Sequence, residues 1–198
     1  MIGGRVEALF GGKEMENVYI PPDSQKRLIH FSRQTLESFV LGRKREDEAS
    51  DDPYLRTTDY GAFVSLHKGE ELRGCIGTCF PTRPLYQIVT EMTEAAASRD
   101  HRVSPISAKE FPEIGIEISV LSPLEVVRDP LSLEIGKHGL HITSGGSRGV
   151  LLPQVAIQYG WDMETFLGQT CLKAGLPKNG WQWPETKIMG FTALIIGE

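Results

Sequence analysis

The sequence predicts an α+β fold, an antiparallel sheet flanked by helices. Two hairpin signals and three stretches of helical spacing carry that reading. The absence of a regular strand–helix–strand alternation argues against a parallel sheet. With 198 residues, 40% of them apolar, the chain can build a core without disulfide staples.

Residues 1–20 carry no sustained period and are expected to be an extension, ordered only where it packs on something. Residues 21–198 are expected to form one domain. Pro21-Pro22 and Asp23-Ser24 start a helix in which Leu28, Phe31, Thr35, Leu36, Phe39 and Val40 make one buried stripe. Gly42 and a solvated run over Arg43–Asp52 end it. Gly61–Leu66 and Leu72–Thr78 then flank a turn containing Gly69. Pairing Leu66 with Leu72 matches the apolar faces, setting Ser65 opposite Arg73, Phe63 opposite Cys75 and Ala62 opposite Ile76. A second helix follows Pro84, with Leu85, Ile88, Val89, Met92 and Ala96 on one side. Glu113–Leu121 alternates like a half-buried strand. His138–Pro153 is read as a hairpin turning at Ser144–Ser147. Asp162 caps a third helix that ends near Gly175, and Ile188–Ile196 reads as a closing strand.

Charge and composition exclude whole classes. Lys and Arg total 21 against 26 Asp and Glu, a net charge of -5, which argues against non-specific binding of nucleic acid. Three widely spaced cysteines make no disulfide framework and point to a reducing, cytoplasmic setting. No apolar run approaches the ~20 residues of a membrane span, and Met1–Gly12 lacks the features of a secretory signal. Phosphate-loop, dinucleotide-binding and nucleophile-elbow motifs are missing, so no cofactor is expected.

Cys75 is the leading candidate for chemistry. A thiolate is the nucleophilic form, and a nearby cation favours it. Strand alternation places Arg73 on the same face as Cys75, either to stabilise the thiolate or to bind a substrate carboxylate. Gly74 and Gly77 clear space beside the sulfur for a ligand or for another backbone. Against this stands the ordinary reading, in which a free cysteine simply packs in the interior. His138 and His141 form H-x-x-H, a partial metal set without a third ligand, so no metal is expected. Cys75 and Cys79, four residues apart on a strand, lie too far apart to share an ion. Among the remaining histidines, His30 reads as a core or rim residue, His67 as solvated and His101 as a loop position. Trp161, Trp181 and Trp183 read as core or a hydrophobic edge.

At Leu72-Arg73-Gly74-Cys75-Ile76-Gly77 the chain resembles the AMMECR-domain family, of which this hexapeptide is the hallmark. The resemblance continues through Gly61–Val64, Ala97–Asp100, Glu117–Leu121, Gly136–Leu140, Leu151–Ala156, Trp161 and Cys171–Leu176, spanning residues 23 to 197. One departure is His101-Arg102 after Asp100, where similar sequences often have proline and then arginine. The resemblance implies a larger and a smaller subdomain with a cleft between them. It implies no settled activity. It does suggest a shared enzymatic pathway with Memo-like and radical-SAM proteins. Taken with the residues, it makes Cys75, Arg73, Asp100 and His138 the candidate catalytic set, Asp100 or His138 serving as proton-transfer partner. Gly74, Gly77, Lys137 and Gln154 become the candidate ligand-binding residues, and a small anionic molecule the expected substrate. The alternative is a non-catalytic binding or scaffold module.

Overall fold

The computed structural model describes residues 15–44 and 49–198. Their elements, in chain order, are α1 (Pro22–Val40), β1 (Gly61–Lys68), β2 (Glu71–Thr78), α2 (Leu85–Ser98), β3 (Ile114–Leu121), β4 (Glu125–Val126), β5 (His138–Ser144), β6 (Ser147–Leu151), α3 (Pro153–Gln158), α4 (Met163–Lys173) and β7 (Lys187–Gly197). Every strand pairing that is resolved residue by residue is antiparallel, as the α+β reading requires. The residues separate into two compact units. One is Val18–Pro123 with Leu194–Glu198; the other is Leu124–Ala193 with the described residues up to Asn17.

In the first unit β2, β1 and β3 lie side by side, and the end of β7 follows β3. Ala62, Val64 and Leu66 on β1 and Ile116, Ile118 and Val120 on β3 turn one face inward. That face packs with Leu28 and Leu36 of α1 and with Leu85, Ile88, Val89 and Ala96 of α2. Of the predicted stripes, Leu28, Thr35, Leu36, Leu85, Ile88, Val89 and Ala96 are buried, while Phe31, Phe39, Val40 and Met92 pack against the core half-buried. Between the helices, the buried hydroxyls of Ser32 and Thr93 satisfy each other at 2.7 Å, so a polar pair is carried inside an apolar seam without an unmet donor. Asp52, expected in a solvated run, is instead buried and accepts hydrogen bonds from the Ser24 hydroxyl and the Tyr54 amide. Of the N-terminal extension, residues 1–14 lie outside the described residues. Met15, Val18 and Ile20 are buried in core clusters.

The second unit hydrogen-bonds β6 to β5 and β5 to β7, with β4 on the other side of β7. Leu140, Ile142 and Leu151 meet Phe166, Leu167 and Cys171 of α4 in its core. Gly145 takes the turn between β5 and β6 at φ +58°, a backbone conformation that side chains disfavour. Asp162 caps α4 by accepting the Thr165 amide, as expected. The short α3 was not predicted, since six residues give too little period to read. Trp161 and Trp181 pack on this core, while Trp183 is exposed. Among the described residues no helix is long and apolar enough to cross a membrane.

The predicted register of the first hairpin is wrong, and the reason is local. Lys68 pairs with Glu71 across a two-residue turn, with Gly69 at φ +60°, the requirement of a type II′ hairpin. His67 then pairs with Leu72, but Leu66 pairs with Gly74. Arg73 is the extra residue of a β-bulge, so the alternation of β2 breaks at that point. Ser65 therefore faces Cys75 rather than Arg73, Phe63 faces Gly77 rather than Cys75, and Ala62 faces Thr78 rather than Ile76.

Gly74 lies where β2 meets α2. A Cβ built there would stand 2.1 Å from the Ala96 carbonyl oxygen, a backbone atom that cannot swing aside. Gly74→Ala is thus predicted to cost about 2 kcal/mol, in the range of overpacked cores. Urea unfolding would show it as a lower midpoint with an unchanged slope. A midpoint within error of wild type would mean that the helix and strand can separate at little cost.

Candidate functional site

Among the described residues β2 is the last strand in its order, and one of its edges has no neighbouring strand. At Cys75 that edge is covered by side chains. The Cys75 amide donates to Asp100 Oδ2 at 2.9 Å, and Arg102 Nη2 donates to the Cys75 carbonyl at 3.2 Å. Both main-chain groups of Cys75 thus point away from β1. Ser65 and Cys75 are then a non-hydrogen-bonded pair, the kind whose side chains approach most closely. Accordingly the Ser65 hydroxyl donates to Cys75 Sγ at 3.2 Å. Ser65 is buried and Cys75 half-buried. On the far side of Ser65, Glu117 of β3 completes a polar row across the three strands.

Asp100 and Arg102 hold each other in a two-pronged pair. Nε reaches Oδ1 at 2.8 Å and Nη2 reaches Oδ2 at 2.6 Å, while the Arg102 amide donates to Oδ1 at 3.2 Å. The Asp100 carboxyl is buried. The Arg102 guanidinium nevertheless drives its pKa far below the usual carboxylate range, and burial opposes this less strongly. Its amide bonds from Cys75 and Arg102 act in the same downward sense. A carboxylate held so firmly ionised is an anchor for main chain rather than a group that passes protons near neutrality.

Arg73 turns to a different partner. From its bulge, Nε donates to Glu110 Oε1 at 3.0 Å and Nη2 to the Ser104 carbonyl at 3.4 Å. Glu110 Oε2 in turn accepts the Ser107 amide and hydroxyl at 3.0 and 2.8 Å. These Ser107 bonds, more than Arg73, lower the Glu110 pKa. The segment from Asp100 to Glu110 is therefore fastened to β2 at two points, one at Cys75 and one at Arg73. Gly77 lies beneath the Phe63 ring, which would stand 2.2 Å from a Cβ there, and Gly74 lies against α2. Cys79 is buried at the end of β2. A cavity of about 830 Å³ opens between α1 and α2, and its lining includes none of the candidate residues.

His138, Lys137 and Gln154 belong to the second unit. His138 is buried, and its Nδ1 accepts the Glu134 amide at 2.9 Å, which leaves the ring proton on Nε2. Burial, reinforced by Lys137, pushes its pKa down, so the ring is neutral. His141 is buried too, and burial with Arg148 and Lys187 pushes it the same way. The two histidines are three residues apart on β5 and project from opposite faces, so H-x-x-H cannot close on one ion. Among the described residues no three His, Cys, Asp or Glu side chains group as metal ligands. Lys137 is tied to Glu134 at 3.1 Å, and Gln154 is half-buried in α3. His30 and His101 are exposed and His67 is half-buried.

Sequence reasoning missed Ser65, Arg102 and Glu110. Ser65 was hidden by the bulge. Glu110 had a readable signal in the Ser107-x-x-Glu110 capping box, and Arg102 in its spacing from Asp100.

These features define an α+β protein in which a half-buried cysteine on an edge strand is framed by an Asp–Arg pair. The AMMECR1 family model matches residues 29–196, and the chain belongs to that family. It is 39% identical over 182 residues to a protein of Methanothermobacter thermautotrophicus, covering 89% of this chain and 95% of that one. Protein TK0174 of Thermococcus kodakarensis is 38% identical over 181 residues, covering 86% and 88%. Among solved structures, uncharacterized protein PH0010 from Pyrococcus horikoshii superposes with a TM-score of 0.83 at 33% identity, covering 89% of this chain and 92% of that one.

The Asp100 anchor has a signature in pH. A carboxyl whose pKa falls on folding adds stability above its unfolded value, near 3.8, and that stability fades as acid protonates the folded form. Asp100→Asn is predicted to be less stable than wild type from pH 6 to 8 by about 2 kcal/mol. The gap should narrow below pH 3.8. Urea midpoints across that range test it, and a gap independent of pH would remove the carboxylate from the account.

Proposed function

We propose that Cys75 is a reactive thiol centre that binds and processes a small anionic substrate. The observation that supports this most is the Ser65 hydroxyl held against Sγ at 3.2 Å, a donor that strengthens when sulfur carries negative charge. Cys75 is half-buried, whereas Cys79 and Cys171 are buried. In this reading Cys75 attacks an electrophilic carbon; the S–C bond forms as the bond from that carbon to a leaving group breaks, the leaving group departs with the electron pair, and the thiol proton goes to solvent. Asp100 and Arg102 act as positioning residues by fixing the Cys75 main chain. Arg73 acts at one remove, fastening the covering segment through Glu110. Three free cysteines fit a reducing cytoplasm.

A second reading is a non-catalytic binding or scaffold module acting with Memo-like and radical-SAM proteins. It draws support from the absence of a base at sulfur: among the described residues Ser65 alone hydrogen-bonds Sγ. Cys75→Ala separates the two readings. Turnover in the reconstituted pathway should vanish under the first and persist under the second.

Alkylation by iodoacetamide, followed residue by residue with mass spectrometry, tests the thiol directly. Cys79 and Cys171 are buried, and burial also pushes the Cys171 thiol pKa up. Cys75 is predicted to react at least about tenfold faster than either. Ser65→Ala should slow Cys75 about fivefold, equal to ~1 kcal/mol of lost hydrogen bonding. Equal rates at all three cysteines would overturn the proposal.

A further inference from the structure

Arg73 was the sequence's candidate for an anion site beside the thiol, and its surroundings fit that role poorly. Its side chain is 11% exposed and its charge is met by Glu110 at 2.9 Å. Arg102 differs on each count that matters to a ligand. It lies against the Cys75 carbonyl, and its side chain is 59% exposed. A guanidinium has five N–H donors. Nε–H and one Nη2–H go to Asp100, and the second Nη2–H goes to the Cys75 carbonyl. The two Nη1 hydrogens have no acceptor among the described residues.

We infer that Arg102 is the anion-recognising residue of the Cys75 site, and that the site takes a small electrophile bearing a carboxylate. This rests on the thiol reading above and adds to it the substrate's class and the group that selects it. The physical case is preorganisation. Asp100 is buried and grips the guanidinium by its Nε–Nη2 edge, so the plane is fixed before a ligand arrives. Little side-chain entropy remains to be lost on binding. Because Asp100 cancels the charge of Arg102 at a distance, recognition here is a matter of contact through Nη1–H rather than of long-range attraction. Carboxylates suit such contact, since charge-assisted N–H···O bonds are roughly twice as strong as neutral ones. Arg73 contributes a fixed loop, not a ligand contact.

The experiment compares two alkylating agents of nearly the same shape, iodoacetate and iodoacetamide. Each gives up iodide as sulfur bonds to its methylene carbon, and the thiol proton goes to solvent. The ratio of their rates at Cys75, divided by the ratio for a neutral cysteine peptide, reads anion selectivity free of intrinsic thiol reactivity. We expect the normalised ratio to exceed that of the peptide about fivefold, to fall to the peptide's in Arg102→Gln, and to be retained in Arg73→Gln. Arg102→Lys should recover part of it. Thermal melts of each variant identify any that unfold. A second measurement does not depend on thiol reactivity. In wild type, propionate should shift the NMR resonances of the Arg102 Nε–H and the Cys75 amide saturably, and propionamide should leave them in place. A wild-type ratio equal to the peptide's, or equal shifts from propionate and propionamide, overturns the assignment of Arg102. Slow reaction with iodoacetamide alone overturns the thiol proposal instead.

Discussion

A single buried carboxylate sets the geometry of the Cys75 site. Asp100 accepts from the Cys75 amide and from three N–H groups of Arg102, and it is held ionised by the guanidinium beside it. An edge strand normally offers its main chain to water or to another chain. Here an Asp–Arg pair takes the place of a neighbouring strand for one residue, offering an acceptor to the amide and a donor to the carbonyl. With its main chain held outward, Cys75 faces Ser65 at the close spacing of a non-hydrogen-bonded pair.

The bulge at Arg73 acts in the same direction. One extra residue re-aims the arginine from the Cys75 face to Glu110, and the Ser107 bonds to Glu110 steady the far end of the covering segment. The glycines of the Leu72–Gly77 motif then have separate roles. Gly74 lets β2 approach the Ala96 carbonyl, and Gly77 makes room for the Phe63 ring. Both let the strand lie close to its neighbours. The side chains that hydrogen-bond Cys75, from Ser65, Asp100 and Arg102, all lie outside the motif.

Most of the architecture was legible in the sequence because it rests on periodicity. Leu28, Thr35 and Leu36 on α1, the alternating isoleucines of β3 and the Asp162 cap all behave as their patterns require. The site was less legible. A bulge adds one residue without changing composition, so nothing in Leu72-Arg73-Gly74 announces that alternation stops there. Partner choice by a long side chain is not periodic either. Strand alternation pairs Arg73 with Cys75, whereas its partner lies 37 positions away. Asp100 is legible through the family resemblance; the Cys75 amide that it accepts from is not.

Amide hydrogen exchange at Cys75 tests the central claim most directly. An outward-pointing amide on an edge strand exchanges rapidly unless something accepts its proton. If Asp100 is that acceptor, the Cys75 amide will be strongly protected in the wild-type protein and will lose that protection in Asp100→Ala, while the amides of β1 keep theirs. Rapid exchange at Cys75 in the wild-type protein would contradict the account.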